Sequence, residues 1–279
     1  MKATGCRWEP DPWQGVACRV EMMMPGHGRQ TVDVGGVGNV ECRPQSGGVE
    51  LVMANRAAGG EVRVTTWLGV TESVLHVAVR AVELPDNARL ESIQYPFRTP
   101  YLETGKDLGY VAVPSHEGCL IPTGPVKLGT TDFWHWEDVR HSRSSSYREA
   151  MSTMPFYGGQ KDGLGYTAIL ETTDDFDFEY LINSNFQHAF DASGKQSPYP
   201  YIACAWPVWL AQKGKLGYER RMRFEFATGL DYVGMAKAYR KEALAQGHLV
   251  TLREKAKARP QIDRLAGAPY LAYYAGYPH

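Results

Sequence analysis

The stretch at 131–141, TDFWHWEDVRH, contains the residue types of a saccharide-binding surface. Trp134 and Trp136 flank His135, so both indoles project to one side if the segment is extended. Aromatic rings stack on sugar faces, and Glu137 and Arg140 could hydrogen-bond to hydroxyl groups. We therefore predict these five residues as candidate substrate-binding residues. The alternative is that one or both indoles fill a core or dock a neighbouring domain.

A histidine and a glutamate lie side by side at His116 and Glu117, between two predicted strands. Sugar epimerases of the mutarotase kind use such a pair as acid and base. Adjacent residues on an extended chain point to opposite faces, so we expect a polar hairpin here. An epimerase would need His116 and Glu117 to converge with residues such as His76 and Glu171.

The acidic run ETTDDFDFE, Glu171 to Glu179, brings Asp174, Asp175 and Asp177 close together in sequence. A calcium loop of the EF-hand type needs a glycine at its sixth position, and this run has none. Aspartate favours turns, so the run predicts a solvated turn between two strands.

The sequence contains no recognisable metal or cofactor motif. Its five cysteines are widely spaced without a C-x-x-C pair, so we predict buried reduced thiols rather than a zinc site or a disulfide framework. The glycine-rich segments fit neither the dinucleotide fingerprint nor the phosphate-binding loop. We predict no catalytic residues, no metal ligands and no cofactor.

The composition excludes several classes of partner. The formal net charge is -1, which gives no field to attract nucleic acid or an anionic membrane. No run reaches the roughly 18–20 apolar residues of a membrane span, and residues 1–15 lack the apolar region of a signal peptide. The sequence therefore predicts a cytoplasmic protein, unless the natural N-terminus extends further and directs export.

Short strands between Gly- and Pro-rich turns dominate the chain up to residue 230. In the strand region 61–84, Leu75, Val77, Val79 and Ala81 alternate with polar or small residues, which indicates one buried face. Antiparallel strands without interleaved helices favour a β-sandwich. The other predicted strands are 109–113, 117–121, 165–172, 178–185, 201–210 and 218–226.

Two of these strands carry a clear aromatic or charged pattern. In 218–226, four charged residues alternate with Tyr218, Met222, Phe224 and Phe226, which predicts an outer strand over a core. In 201–210, Trp206 and Trp209 are expected in the core.

The pattern becomes helical after residue 230. Asp231 can cap a helix over 232–246, and Thr251 with Glu254 has the spacing of a capping box that opens a second helix, ended by Pro260. The apolar segment 268–276 is typical of a buried strand. We therefore predict a β-sandwich domain (1–230), a helical connector (231–266) and the start of a further domain (267–279).

Three segments, 95–122, 151–175 and 232–270, carry a set of ordered motifs: a Tyr-Pro strand, a Met-Pro-Phe-Tyr-Gly turn, an Ile-Leu-Glu-Thr strand and a Gly-Met-Ala-Lys-x-Tyr-Arg helix. Together they resemble the N-terminal region of multidomain glycoside hydrolases similar to the endo-α-N-acetylgalactosaminidases and their bacterial relatives. The resemblance covers roughly 95–279.

The resemblance implies a galactose-mutarotase-like sandwich beside a (β/α)₈ barrel, with 267–279 as the first barrel strand. The family's catalytic carboxylates lie on later barrel strands, and no residue here matches them. The implied function is a non-catalytic sandwich portion that supports an absent barrel and could contact a galactoside-type glycan. The expected partners are that glycan and the missing barrel or a partner chain. Two alternatives stay open: an independent carbohydrate-binding module, and a mutarotase-like epimerase.

Overall fold

The computed structural model describes residues 6–7, 15–36, 38–103, 109–113, 118–123, 154–182 and 202–265. The predicted final strand at 268–276 lies outside these residues. The chain divides into two compact units, Met1–Ala236 and Lys237–His279. The domain limits 1–230, 231–266 and 267–279 remain predictions.

The first unit consists mainly of β-strands. In chain order the described strands are β1 (Cys6–Arg7), β2 (Cys18–Met24), β3 (Gly28–Val34), β4 (Val40–Gln45), β5 (Gly48–Ala57), β6 (Gly60–Thr71), β7 (Val74–Glu83), β8 (Arg89–Gln94), β9 (Tyr101–Glu103), β10 (Tyr110–Val113), β11 (Cys119–Pro122), β12 (Phe156–Lys161), β13 (Leu164–Leu170), β14 (Phe176–Ile182), β15 (Ile202–Leu210) and β16 (Arg220–Thr228).

These strands form two antiparallel sheets within the described residues. The seven-stranded sheet has the order β1-β9-β15-β8-β2-β3, with β14 paired to the other edge of β15. The nine-stranded sheet has the order β11-β10-β12-β13-β16-β7-β6-β5-β4. One buried apolar cluster contains residues of both sheets, among them Val20, Ile93, Val64 and Phe224. The predicted mainly-β, antiparallel sandwich is therefore confirmed.

Alternation along β2 shows why these sequences form a sandwich. Cys18, Val20, Met22 and Met24 are buried, while the residues between them are partly or fully exposed. A period of two places one set of side chains in the core and the other on the outer face of the sheet. Burial of apolar surface is the dominant favourable contribution to such a fold.

The predicted phase of strand β7 is correct only up to Val79. Thr66 pairs with Val79 and Thr65 with Ala81, so Arg80 is an extra residue that forms a β-bulge. The bulge reverses the alternation, and Val82 rather than Ala81 packs against the core. The expectation that Ala81 shares a face with Val77 is therefore wrong.

Strand β16 has the predicted apolar inner face, with one unexpected member. Met222 and Phe224 are buried. Arg221, which precedes Met222 in sequence, is exposed. Arg220, which shares the inner side with Met222, is 0% exposed. A charge rarely lies inside a sandwich without partners, so this guanidinium requires a specific environment.

Helix α1 (Tyr232–Ala245) and helix α2 (Leu252–Ala258) begin where the sequence predicts, and a 3₁₀ helix follows over Pro260–Leu265. Asp231 accepts a 2.7 Å hydrogen bond from the Gly234 amide. Glu254 N donates to Thr251 Oγ1 (3.2 Å) and Thr251 N donates to Glu254 Oε2 (2.8 Å), which completes the capping box. The hydrogen bonds that the Thr251 amide and hydroxyl donate to the Glu254 carboxylate lower the pKa of Glu254.

In the first turn of α1, Met235 packs on the outer face of β12. A Cβ atom on Gly158 would lie 2.5 Å from Met235 Sδ and 2.5 Å from the carbonyl oxygen of Tyr166. Only glycine allows this close approach of helix and strand. The lack of a side chain at Gly158 therefore allows the first turn of α1 to pack directly on the sheet.

The prediction of buried cysteines holds in part. Cys18 and Cys204 are buried as expected, but Cys42 and Cys119 are exposed because they lie on the strands at the two edges of the nine-stranded sheet. Among the described residues, no helix combines the length and the apolar character that crossing a bilayer requires.

Candidate functional site

A row of five side chains, four of them polar, crosses the outer face of the seven-stranded sheet. Asp177 lies opposite Val208, Val208 opposite Gln94, Gln94 opposite Arg19, and Arg19 opposite Asp33. Residues opposite each other in neighbouring strands share a face. We call these five residues the cross-strand row.

Several polar groups in and beside the row are buried. Gln94 is 1% exposed and Asp177 is 5% exposed, and Glu179, two positions further along β14 on the same face, is 6% exposed. Asp177 Oδ1 accepts a 2.8 Å hydrogen bond from the Phe178 amide. This corrects the expected solvated turn: Asp174 and Asp175 do lie in a bend, but Asp177 and Glu179 belong to strand β14.

An aromatic cluster contacts the middle of the row. Trp206, directly opposite Glu179, is fully buried and donates a 3.0 Å hydrogen bond from Nε1 to Gln94 Oε1. Phe97 meets Trp206 edge-on with ring centroids 5.5 Å apart. The Arg98 guanidinium lies 4.8 Å from the Phe97 centroid and 5.6 Å from that of Trp206. Aromatic rings and cations therefore alternate on this face.

Arg19 connects the aromatic cluster to the carboxylates. Its Nε and Nη2 atoms donate to the two Asp33 oxygens at 2.6 and 2.9 Å, a bidentate geometry. Its guanidinium also lies 4.4 Å from the Phe97 centroid. Burial alone would lower the pKa of Arg19, but the hydrogen bond to Asp33 and the charges of Asp33, Glu179 and Glu21 outweigh it and raise that pKa.

A second pair of polar residues lies beside the row. Ser92 lies opposite Glu21, and its Oγ donates a 2.8 Å hydrogen bond to Glu21 Oε2. Together with the row, the face offers carboxylates, an amide, a hydroxyl and guanidinium groups close to an indole. Because Ser92, Gln94 and Trp206 are buried, the part of this face that is open to a small polar ligand is the Arg19–Asp33 pair.

The histidine and glutamate considered for an epimerase are partly brought together. His76 Nδ1 lies 4.0 Å from Glu171 Oε1, on the charged outer face of the nine-stranded sheet. Glu171 also lies 3.5 Å from Arg223 and 3.9 Å from Arg221, and His76 Nε2 is 2.8 Å from Thr71 Oγ1. The pair is thus part of a surface ion network on the nine-stranded sheet, whereas the cross-strand row lies on the seven-stranded sheet. His116 and Glu117 lie outside the described residues.

The structure does not describe the saccharide platform predicted from the sequence. Trp134, Trp136, His135, Glu137 and Arg140 all lie in the undescribed range 124–153, so their role stays a prediction. Among the residues that are described, no group of three or more His, Cys, Asp or Glu side chains could hold a metal ion.

Solved structures with a similar fold belong to the α-N-acetylgalactosaminidase NagBb from Bifidobacterium bifidum. Its complex with Gal-NHAc-DNJ matches with a TM-score of 0.58 and 18% identity over 91% of this chain and 37% of that chain. Its GalNAc complex gives a TM-score of 0.55 and 17% identity over 88% of this chain and 36% of that chain. The likeness is one of fold.

The fold of this chain therefore resembles part of NagBb, and the chain spans little more than a third of the NagBb chain. No protein-family model matches the sequence, and no curated protein matches it.

Proposed function

We propose that this chain is the non-catalytic sandwich portion of a glycoside hydrolase and supports a catalytic barrel supplied by further residues or by a partner chain. The observation that carries the proposal is the shared fold with NagBb over about nine-tenths of this chain. The motif order resembling the endo-α-N-acetylgalactosaminidases supports the same family.

The glycan contact that we propose for this sandwich lies at the Arg19–Asp33 end of the cross-strand row, where the two side chains are 20% and 33% exposed. Hydroxyl groups both donate and accept hydrogen bonds, so they suit this guanidinium and this carboxylate, whereas Gln94 and Asp177 are buried. NagBb is named for α-linked N-acetylgalactosamine, and a galactoside of that kind is the glycan we propose here. In this role Arg19 and Asp33 bind the sugar, and the barrel carries out hydrolysis.

The test is turnover of aryl α-N-acetylgalactosaminides and aryl galactosides by this chain. We expect release of the aryl group no faster than in buffer, since glycoside hydrolysis needs a positioned acid and a second carboxylate across the scissile bond. Asp177→Asn and Glu179→Gln are the matched variants. Turnover that disappears in either variant would contradict a non-catalytic sandwich and place the chemistry on the cross-strand row.

An independent carbohydrate-binding module is the second candidate, supported by the Trp-His-Trp spacing at 134–136. In that case a glycan array binds the chain, and Trp134→Ala abolishes the signal. A flat array would count against it.

The epimerase alternative is supported by the 4.0 Å separation of His76 and Glu171. It requires that the chain accelerate mutarotation of α-D-galactose in a polarimeter and that His76→Ala abolish the acceleration. The surface ion network around Glu171 instead indicates a structural role, so we expect no acceleration.

A further inference from the structure

A depression of about 510 Å³ lies between two turns of the first unit. One turn joins β7 to β8 and contributes Asp86 and Asn87, and the other precedes β16 and contributes Lys215 and Tyr218. Arg80, the bulge residue of β7, also borders the depression. The lining thus combines an aromatic ring with an anion, cations and an amide.

The Tyr218 ring is held rigidly at the edge of this depression. Its hydroxyl donates a 2.8 Å hydrogen bond to Asp175 Oδ2, which also accepts one of 2.6 Å from Gln212 Nε2. The Arg220 guanidinium lies 3.5 Å from the ring centroid. Burial and the bond to Asp175 raise the pKa of Tyr218.

Arg220 is in turn fixed from behind. It is 0% exposed and donates 3.1 and 3.0 Å hydrogen bonds to the carbonyl oxygens of Tyr218 and Leu210. Because Arg220 is wholly buried against the half-buried Tyr218 ring, the ring is already restricted in the free protein. It therefore loses little conformational freedom when a ligand binds. Preorganisation of this kind favours binding because it reduces the entropy cost.

The chemistry of the lining favours a neutral, polyhydroxylated ligand. Asp86, Asn87 and Lys215 are all exposed, and together they offer acceptors and donors. One carboxylate (Asp86) and two cations (Arg80 and Lys215) border the depression, and sugar hydroxyls can pair with both signs of charge. Arg80 is oriented by Gln45 Oε1 at 2.8 Å and by Glu219 at 3.4 Å, so its position is also set in advance.

We propose that this depression is a saccharide-binding site in which the Tyr218 ring is the stacking platform and Asp86, Asn87 and Lys215 bind hydroxyl groups. None of the residues that line the depression belongs to the cross-strand row, and the site needs no barrel. It therefore goes beyond the proposed function and holds or fails independently of it.

The test is a glycan array followed by titration of the best ligand in saturation-transfer NMR. Tyr218→Ala should weaken binding at least about tenfold, since aromatic stacking and its anchoring are lost together. Asn87→Gly removes the amide but tolerates the φ of 63° at this exposed turn, so it should weaken binding severalfold without affecting the fold. Tyr232→Ala, which removes an exposed tyrosine outside the depression, should leave affinity unchanged.

Thermal unfolding of each variant separates loss of binding from loss of fold. If Tyr218→Ala unfolds, Asn87→Gly decides the question. The proposal is overturned if no glycan binds the chain, or if binding survives in both folded variants. Binding that instead disappears in Trp134→Ala would overturn this site and support the platform predicted from the sequence.

Discussion

Replacing Trp206 by alanine is expected to lower the free energy of unfolding by about 3–5 kcal/mol. The indole is fully buried on the outer face of β15, where it meets the Phe97 ring and donates to Gln94. Its removal leaves a cavity and a buried amide oxygen without its donor, and both effects destabilise the folded state. Urea unfolding followed by circular dichroism measures the change.

Trp206→Phe is the matched control because it keeps an aromatic ring and removes only the N–H donor and part of the volume. We expect its free energy of unfolding to lie between those of the wild type and the alanine variant. A change below about 1 kcal/mol in Trp206→Ala would contradict the burial of this face, because deleting a packed indole costs several times that amount.

Replacing Arg220 by methionine is expected to cost about 2–4 kcal/mol, because two partly buried carbonyl groups lose their donor. The affected oxygens belong to Tyr218 and Leu210, at 3.1 and 3.0 Å from the guanidinium. Asp175, at 3.8 Å, is one-third exposed and adds little. Burial lowers the pKa of Arg220, and the nearby Tyr218, Asp175 and Asp174, which act in the opposite direction, offset this only in part.

Arg221→Met tests the neighbouring position on the same strand. Its side chain is 63% exposed and pairs only at the surface with Glu171 and Glu219, so we expect a change of about 0.5 kcal/mol or less. Equal unfolding free energies for the two variants would show that the Arg220 hydrogen bonds do not stabilise the turn before β16.

Local patterns were sufficient to predict most elements. The alternation of Met222 and Phe224 with charged residues predicts strand β16, and the Thr251–Glu254 spacing predicts the start of α2. Both signals come from residues close in sequence, so one strand or one turn of helix is enough to reveal them.

Features that depend on distant strands could not be predicted in the same way. The cross-strand row joins residues 19, 33, 94, 177 and 208, which come from five strands. Because aspartate favours turns, the acidic run around Asp177 predicts a turn. Pairing of β14 with β15 overrides that preference. The bulge at Arg80 likewise follows from register and not from composition.

One NMR experiment tests the central claim that this sandwich holds glycan without cleaving it. The chain is mixed with the glycoside panel, and saturation transfer and released reducing sugar are recorded in the same sample over one day. The account predicts transfer to at least one galactoside and no released sugar. Released sugar that vanishes in Asp177→Asn, or no transfer to any glycoside, would contradict it.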